Sequence, residues 1–464
     1  MERIIMKFGG SSVGSVDRID NVLNIVEEKA KQNELKALVF SAFGKTTDHL
    51  LDLGKRAASG DAVYRDSLKE LSLFHFKLLE QFVTDSAQKL VAQRKVKENF
   101  EVLGELLNSI YLSRDFNARF QDLILSFGER NSNRILTEAL KSRGLDCEYA
   151  DARKIIKTNN KFGGARVLED ITREKICRYF EEHKAIQVVT GFISSTIDEI
   201  STTLGRGGSD YTASLIGSAL EVDRIEIWSD VNGVMSANPN IVTGARNLRE
   251  LNYMEAMELS HFGAKVLYPP TIIPAQKSGT AILIKNSLHP EESGTWILAE
   301  KKLKHDEDIS GITSIPGLSI MTLEGGMGRG IHGLAGRLFG CLSEEDLDIY
   351  LMTQGSSELS ISFAILASEE EHVGQLISKE FDRELREIDE FRLTSEGNMC
   401  AIAIVGEKIL YKPGIIGRAF HSLGLLGINI EAIAHGSSER NIAFLVHEKD
   451  QNRSINALHN EFFN

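Results

Sequence analysis

The chain has 464 residues, of which 42% are hydrophobic and 26% are charged, a composition typical of globular proteins that bury sizeable cores. Its length predicts about two to four domains. Lys and Arg total 53 against 66 Asp and Glu, which gives a net charge of −13 and argues against duplex nucleic acid or an anionic membrane as the main partner.

The cysteines and the N-terminus indicate the compartment. The cysteines are widely spaced and form no C-x-x-C pair, so neither a zinc knuckle nor a disulfide framework is predicted. They are Cys147, Cys177, Cys341 and Cys400. The first residues lack the apolar stretch of a signal peptide, and no apolar run reaches 18 residues. We therefore expect a cytoplasmic protein without a membrane span.

The first 300 residues alternate short apolar runs with longer helical patterns. The first run begins at Ile4, ends in a Gly pair and two serines, and is followed by helical spacing from Val16 to Ala30. Similar runs cover 38–40, 187–191 and 224–228. This alternation predicts a mainly parallel sheet covered by helices. Ligands of such sheets bind at the carboxyl ends of the strands, so the loops there should carry the chemistry.

The loop after the first run has the composition of an anion site. It reads Lys7-Phe8-Gly9-Gly10-Ser11-Ser12-Val13, so backbone N–H groups and the dipole of the next helix can meet a phosphate while Lys7 supplies a full charge. A tight strand-to-helix turn would also explain the paired glycines, and that alternative stays open. No Walker A sequence occurs in the chain, so a P-loop NTPase is not expected.

A second glycine-rich element spans 201–213 and contains Gly-Arg-Gly-Gly-Ser-Asp. Arg206 can clamp a carboxylate with its two-pronged guanidinium, and Asp210 lies at a predicted helix start. Ser209 or Asp210 could instead be a plain helix N-cap. An N-cap would not explain an arginine between glycines.

Two weaker signals follow. The strand that ends at Trp228 runs into turn residues, where Asp230 could orient a nucleotide or its metal ion. Lys265 follows a small-residue turn and could neutralise phosphate charge. A solvated surface lysine is the alternative for Lys265.

A charged run from Glu300 to Asp308 marks the main predicted boundary. Beyond it the chain repeats itself, since Gly336, Arg337 and Phe339 recur 81 residues later (417 − 336 = 81). A longer match in the same register is Gly355-Ser356-Ser357-Glu358, which recurs as Gly436-Ser437-Ser438-Glu439. Each copy reads as strand, Gly-bearing loop, helix, strand, turn, strand, which predicts a duplicated α+β module. The predicted domains are 1–300, 310–392 and 393–464.

Taken together and in this order, these motifs resemble the aspartate kinase branch of the amino acid kinase family. Segments 41–48 and 127–129 also match, and the repeat looks like tandem ACT domains, so the resemblance covers nearly the whole chain. It implies an α/β fold, a three-layer αβα kinase domain with a mainly parallel sheet, followed by two ferredoxin-like α+β ACT domains. The implied reaction transfers the γ-phosphoryl of ATP, with Mg²⁺, to the β-carboxylate of L-aspartate, the first step of lysine, threonine and methionine biosynthesis.

The resemblance also assigns residues. Lys7 and Asp210 are the implied catalytic residues, and no protein metal site is implied. The implied substrate-binding residues are Ser41, Thr47, Glu129, Arg206 and Ser209. Among these, Arg206 would hold the α-carboxylate of aspartate and Glu129 its ammonium. The implied ATP-binding residues are Lys7, Gly9, Gly10, Ser11, Ser229, Asp230 and Lys265.

The chain departs from the family pattern at one motif. Ala-Asp-Pro-Arg usually follows the tryptophan strand, but here the residues are Ala237-Asn238-Pro239-Asn240. The missing carboxylate and guanidinium could weaken nucleotide binding. This departure leaves open a catalytically silent subunit that only binds an effector. A separate alternative is another amino acid kinase, acting on glutamate or acetylglutamate.

The repeated modules are expected to bind an end-product amino acid and to hold a homodimer or larger homo-oligomer together. Their Gly-bearing loops and Gly-Ser-Ser-Glu turns offer amides, hydroxyls and a carboxylate to a zwitterion. The predicted effector-binding residues are Met327, Gly328, Gln354, Gly355, Ser356 and Ser357. Segment 352–358 resembles threonine-responsive members, so threonine is the first choice and lysine the second. Purely structural modules are the alternative.

Overall fold

The computed structural model describes residues 1–263, 267–302, 308–325, 333–343, 347–355, 360–388, 391–407, 409–434 and 440–463. The chain divides into two compact units. The N-terminal unit comprises Met1–Val234, Arg249–Tyr253 and Val266–Lys302, and the C-terminal unit comprises Met235–Leu248, Met254–Lys265 and Leu303–Asn464.

The strands, in chain order, are β1 (Arg3–Phe8), β2 (Glu34–Phe40), β3 (Cys147–Ala150), β4 (Lys157–Thr158), β5 (Ile186–Thr190), β6 (Ile193–Thr196), β7 (Ser201–Thr203), β8 (Arg224–Ser229), β9 (Glu250–Asn252), β10 (Ala281–Asn286), β11 (Thr295–Leu298), β12 (Gly311–Glu324), β13 (Leu351–Gln354), β14 (Ile361–Leu366), β15 (Arg392–Val405), β16 (Ala432–Ala434) and β17 (Asn441–His447).

The α-helices are α1 (Val16–Gln32), α2 (Thr46–Ser59), α3 (Tyr64–Phe82), α4 (Ser86–Ser113), α5 (Ala118–Ser142), α6 (Glu169–Glu182), α7 (Gly208–Ala219), α8 (Tyr253–His261), α9 (Pro269–Ser278), α10 (Leu334–Ser343), α11 (Glu370–Glu380), α12 (Asp382–Glu387), α13 (Ile415–Gly424) and α14 (Gln451–Phe463). Within the described residues, none of these helices is both long and apolar enough to cross a membrane.

The N-terminal unit is built on an eight-stranded sheet with the order β3-β5-β2-β1-β8-β10-β11-β9. Every pair from β3 to β10 is parallel, and β11 runs antiparallel to β10. A smaller sheet has the order β4-β6-β7. The predicted mainly parallel sheet is confirmed, and so are its strands at 38–40, 187–191 and 224–228, apart from small shifts of their ends.

Strand β1 lies in the middle of the large sheet and is covered on both faces. Ile4 and Phe8 on one face and Ile5 on the other are fully buried, as expected for a strand in that position. The ring of Phe8 stacks between those of Phe40 and Trp228, with centroids 5.4 and 5.9 Å away. This stack fixes the carboxyl ends of β1, β2 and β8 side by side.

The C-terminal unit contains a six-stranded antiparallel sheet with the order β13-β14-β12-β15-β17-β16. The long strands β12 and β15 pair along most of their length, with a shift of register between Ile315 and Leu318. The second half of β12 and the first half of β15 complete a four-stranded set with β13 and β14. The other halves complete a second set with β16 and β17. The two α+β modules of the repeat are therefore confirmed, and each completes its sheet with half of the other's long strand.

Two segments of the C-terminal unit precede residue 300 in the chain. Segment 235–248 contributes Ala237 and Val242 to an apolar cluster that also contains Leu423 of α13 and Leu458 of α14. Helix α8 precedes Phe262, which packs with Leu318 and Met399 of the sheet. These contacts explain why both segments belong to this unit.

Candidate functional site

A cavity of about 280 Å³ lies at the carboxyl ends of the central strands in the N-terminal unit. It is lined by Lys7, Gly10, Ser41, Ala42, Gly44, Thr47, Glu129, Phe192, Gly205, Gly207, Gly208, Ser209 and Asp210. Most of the residues expected to bind substrate or the transferring group therefore lie around one space, although the lining residues come from five separate parts of the chain. Its position agrees with the general location of ligands in open α/β sheets.

An ion pair between Lys7 and Asp210 lies at this cavity. Lys7 Nζ is 2.5 Å from Asp210 Oδ1, and the two side chains are only 9% and 14% exposed. Lys7 is held by β1, and Asp210 lies in the first turn of α7. An ammonium has three donors, so Lys7 can hold this carboxylate and still donate to an anion in the cavity.

The loops after β1 and β2 approach each other through glycine backbone. Gly44 N donates to Gly10 O at 3.2 Å, and a Cβ on Gly10 would lie 3.2 Å from the carbonyl oxygens of Ala42 and Gly44. A Cβ on Gly9 would lie 3.4 Å from Lys7 Nζ. The paired glycines thus allow close packing and also leave the Lys7 ammonium uncovered. A tight strand-to-helix turn and an anion site are therefore compatible interpretations of this loop.

Helix α7 begins after a left-handed residue. Its N-cap is Gly207, with φ +66°, so the alternative that Ser209 or Asp210 is a plain N-cap is wrong. The Ser209 hydroxyl instead accepts a hydrogen bond of 2.9 Å from Ser41 Oγ. A Cβ on Gly191 would lie 2.5 Å from Ser209 Oγ, so only glycine at 191 leaves room for this serine pair.

Glu129 is a buried carboxylate in the wall of the cavity. It is 2% exposed, and its Oε1 accepts a hydrogen bond of 3.1 Å from Ala42 N. Burial raises the pKa of Glu129 to about 8, although the hydrogen bond from Ala42 lowers it in part. Within the described part of the chain, Oε2 has no hydrogen-bond partner. A cation that enters the cavity would satisfy Oε2 and favour the ionised form.

Among the described residues, Arg206, Ser229 and Asp230 do not line the cavity. Arg206 is exposed in the turn between Gly205 and Gly207, two residues that line the cavity. Ser229 ends β8, and its carbonyl oxygen accepts from Ser287 N at 2.8 Å. Asp230 follows and is exposed. Lys265 lies outside the described residues.

The remaining ATP-binding positions belong to the loop after β1. Gly9 N donates to Trp228 O at 3.3 Å, which ties this loop to β8. The exposed Ser11 accepts a hydrogen bond of 2.8 Å from Arg18 through its carbonyl oxygen.

Within the described residues, no group of three or more His, Cys, Asp or Glu side chains is placed to hold a metal ion.

The substituted motif lies in the C-terminal unit. Asn238 and Asn240 are both exposed, and Asn238 Oδ1 accepts a hydrogen bond of 3.0 Å from Asn240 N. Trp228 and Ser229, by contrast, belong to β8 of the N-terminal unit. The sequence motif therefore spans the point where the chain passes from one unit to the other.

The predicted effector residues are only partly described. Gln354 is the exposed last residue of β13 and pairs with Ile361. Gly355 N donates to Ser360 O at 3.0 Å. The other four, Met327, Gly328, Ser356 and Ser357, lie outside the described residues.

Sequence reasoning missed Asp122 of α5. Its carboxylate is fully buried and accepts hydrogen bonds from Thr203 N, Thr203 Oγ1 and Gly163 N at 3.0, 2.7 and 3.0 Å. Asp122 precedes Glu129 by seven residues, or about two helical turns, so both acids lie on one face of α5. That spacing is the signal that could have identified it.

Comparison with known proteins identifies the family. The model of the amino acid kinase family matches residues 2–286, and an ACT domain model matches 321–381 and 402–462. The two ACT segments are offset by 81 residues (402 − 321 = 81), which is the offset of the sequence repeat. The chain belongs to the amino acid kinase family.

Individual aspartokinases are similar over the whole chain. The bifunctional aspartokinase/homoserine dehydrogenase, chloroplastic, of Daucus carota is 34% identical over 99% of this chain and 50% of that protein. Aspartokinase 1, chloroplastic, of Arabidopsis thaliana is 31% identical over 99% of this chain and 80% of that protein. The chain spans about half the length of the bifunctional curated relatives that it matches.

The fold matches that of E. coli aspartokinase III, which is 26% identical. The structure of that enzyme with aspartate and ADP in the R-state gives a TM-score of 0.84 over 100% of both chains. Its structure with lysine and aspartate in the T-state gives 0.78, also over 100% of both chains. The resemblance and the fold class predicted from sequence are thereby confirmed.

Proposed function

We propose that the chain is an aspartate kinase, which transfers the γ-phosphoryl of ATP to the β-carboxylate of L-aspartate and releases ADP and 4-phospho-L-aspartate. The observation that carries this proposal is the joint presence of the Lys7–Asp210 ion pair and the buried Glu129 in one cavity. The Lys7 ammonium suits a phosphoryl, and the Glu129 carboxylate suits the ammonium of an amino acid. The similarity to named aspartokinases supports the same activity.

The chemistry requires no general base. The β-carboxylate of aspartate is ionised at pH 7, so one of its oxygens can form the new bond to the γ-phosphorus while the bond to the bridging oxygen of ADP breaks. Lys7 would donate to the oxygens of the transferring phosphoryl, and Asp210 would orient Lys7. Catalysis then rests on alignment and on charge neutralisation.

The nucleotide phosphates would lie over the loop after β1. A Cβ would crowd this loop at Gly10, and backbone N–H groups near the start of α1 suit an anion. Asp230, exposed beyond β8, is assigned to the nucleotide or to its Mg²⁺. When bound, Mg²⁺ would neutralise phosphate charge, and it usually needs only one or two protein carboxylates in addition to those phosphates.

Recognition of aspartate is assigned to the other side of the cavity. Glu129 would accept its ammonium, and Arg206 would hold its α-carboxylate through two parallel hydrogen bonds. Ser41, Thr47 and Ser209 would contact the carboxylate that is phosphorylated or the phosphoryl itself. The support for these roles is that all but Arg206 line the cavity and that Arg206 lies between two lining glycines.

A coupled assay of ADP release tests the proposal. The full chain is incubated with Mg²⁺ and ATP, and with L-aspartate, L-glutamate or N-acetyl-L-glutamate as acceptor. Release that depends on aspartate supports an aspartate kinase. Release that depends on either other acceptor identifies another amino acid kinase, and no release with any acceptor supports a silent effector-binding subunit.

The C-terminal modules are proposed to regulate the enzyme by binding an end-product amino acid, with threonine first and lysine second. The two ACT matches support a ligand-binding role, and lysine is present in one structure of E. coli aspartokinase III. The proposed contacts include Gln354, Gly355 and the turn that follows. The modules are also proposed to join copies of the chain into a homodimer or larger homo-oligomer.

The domain boundaries and the cellular compartment are also proposals. The domains are assigned to 1–300, 310–392 and 393–464, with the charged run from Glu300 to Asp308 as the linker. The cytoplasm is the proposed compartment, because the four cysteines are widely spaced in the sequence and form no C-x-x-C pair, a pattern without a disulfide framework that fits a reducing environment.

A further inference from the structure

Asp122 is a buried carboxylate whose neighbours are donors without charge. Its side chain is fully buried, and two backbone N–H groups and one hydroxyl donate to it. Among the described residues, no lysine, arginine or histidine forms an ion pair with it. Burying a carboxylate without a cation costs free energy. The hydrogen bonds therefore indicate that the segments they join must be held in a defined position.

These hydrogen bonds join α5 to two distant segments. Gly163 N donates to Oδ2 at 3.0 Å and to Oδ1 at 3.2 Å, across 41 residues of sequence. Thr203 donates through its N–H and its hydroxyl, across 81 residues. Ala165 N also donates to Thr203 O at 2.9 Å. Asp122 therefore fixes both the turn at Gly163 and the end of β7.

The segment that is fixed in this way leads directly to Arg206. Thr203 ends β7, and Gly205 follows with φ +71°. A Cβ on Gly205 would lie 3.4 Å from Gly164 Cα, so the two segments touch through glycine backbone. Arg206 itself is exposed, and its main chain takes its position from these anchored neighbours.

We infer that Asp122 is a positioning residue that sets the place of Arg206 relative to Glu129, and so fixes the spacing between the groups that receive the α-carboxylate and the ammonium of the substrate. This inference rests on the proposed function. Both acids belong to α5, with about 10 Å of helix axis between them. One rigid helix would therefore control both ends of amino acid recognition.

The hydrogen bonds, rather than the charge, would perform this role. Burial raises the pKa of Asp122, and the hydrogen bonds from Gly163 and Thr203 oppose that rise. An asparagine could place its oxygen where Oδ2 accepts two N–H groups and turn its amide N–H₂ toward the Thr203 hydroxyl, which can also accept. An alanine would leave the N–H and the hydroxyl of the buried Thr203 without this acceptor.

The test measures the KM values of aspartate and ATP, with kcat, in the full chain. The variants are Asp122→Ala, Asp122→Asn, Arg206→Ala and the double variant Asp122→Ala/Arg206→Ala. Glu138→Ala is the matched control, because Glu138 is a buried acid on the same helix that pairs with Arg134 and Lys141, each at 3.4 Å. If Asp122→Ala does not fold, Thr203→Val replaces it and removes a single hydrogen bond.

We expect Asp122→Ala to raise the KM of aspartate about tenfold, equivalent to about 1.4 kcal/mol, with the KM of ATP nearly unchanged. Asp122→Asn should restore most of the loss. In the Arg206→Ala background, adding Asp122→Ala should change the KM of aspartate by less than about twofold, because coupled residues are not additive. Thr203→Val should give a smaller rise than Asp122→Ala, and Glu138→Ala none.

Three results would overturn the inference: equal rises in both KM values, full additivity with Arg206→Ala, or an equal effect in Glu138→Ala. An unchanged KM in a folded Asp122→Ala or Thr203→Val variant would do the same. These outcomes differ from failure of the proposed function, which would appear as a wild-type chain that releases no ADP with aspartate.

Discussion

The two units differ in how much of each can be identified from short sequence motifs. In the N-terminal unit, much of the cavity lies at the end of a strand or the start of a helix, as Lys7 does in β1 and Asp210 does in α7, whereas Glu129 lies within α5. The parallel sheet then brings the carboxyl ends of these strands to one edge. Short local motifs are therefore sufficient to identify most of the cavity.

The C-terminal unit depends on pairing between distant strands. Gly311 pairs with Val405, 94 residues later (405 − 311 = 94), and each module takes half of a long strand from the other. The sequence repeat reveals two modules, but each copy looks as if it could form a complete sheet from its own strands. A repeat shows which elements exist, whereas pairing over long distances decides which of them share a sheet.

This difference predicts that the units can be perturbed separately. Substitutions at the cavity should alter kcat or the KM of a substrate. Different amino acids bound to the C-terminal unit should instead alter the degree to which ADP release is inhibited.

Removal of the Lys7 ammonium should have the largest effect. We expect Lys7→Ala to lower kcat by about 10³-fold, because loss of one donor to developing charge costs about that much. Circular dichroism should show an intact fold. Lys36→Ala is the control, since Lys36 lies on the neighbouring strand β2 and pairs with Glu34. Wild-type kinetics in Lys7→Ala would remove the β1 loop from the mechanism.

The same reasoning explains what sequence could and could not predict. Lys7, Glu129 and Asp210 were identified because each belongs to a local motif, and all three line the cavity. Asp122 was missed because its hydrogen-bond partners lie 41 and 81 residues away, and the only nearby signal is its seven-residue spacing from Glu129 on α5. Asn238 was considered together with Trp228, yet the chain passes between the two units after that strand.

Arg206→Ala should have the next largest effect. We expect the KM of aspartate to rise about 100-fold, because a charged hydrogen-bonded pair to the α-carboxylate is lost, while the KM of ATP changes little. Arg173→Ala is the control, because Arg173 is exposed and pairs with Glu221. Equal losses for both substrates would contradict the assigned role.

Glu129→Gln should raise the KM of aspartate about tenfold, as expected for loss of a charged partner. Burial raises the pKa of Glu129 to about 8 in the free protein, and an ammonium binds best to the ionised form. The wild-type KM of aspartate should therefore fall as the pH rises from 6.5 to about 8.5. In Glu129→Gln this dependence should vanish. A wild-type KM independent of pH would refute the assignment.

The stability of the free protein should fall as the pH rises, whereas its affinity for aspartate should increase. Because the folded-state pKa of Glu129 lies above its ordinary value of 4.5, the folded state binds more protons than the unfolded state between these values. The contribution to stability is therefore complete below about pH 4.5 and is lost as the pH rises through about 8. The Tm of the wild type should fall relative to that of Glu129→Gln over this interval in thermal scans without ligands.

The smallest expected effect belongs to the C-terminal unit. A ligand that binds this unit changes turnover only if it prefers a less active arrangement, and typical coupling energies of 1–3 kcal/mol limit the effect to about 5- to 150-fold. We expect millimolar threonine to inhibit ADP release at the lower end of that range, and lysine to act more weakly.

Valine is the matched control for threonine, because it has nearly the same shape and lacks the hydroxyl. If the modules recognise that hydroxyl, a polar site deprived of its partner should reject valine strongly, and valine should leave the rate unchanged. Inhibition by valine and threonine alike would indicate that shape alone is recognised. No response to threonine or lysine at millimolar concentration would defeat the regulatory proposal. The Lys7→Ala variant should still bind threonine in calorimetry, because its altered residue lies in the other unit.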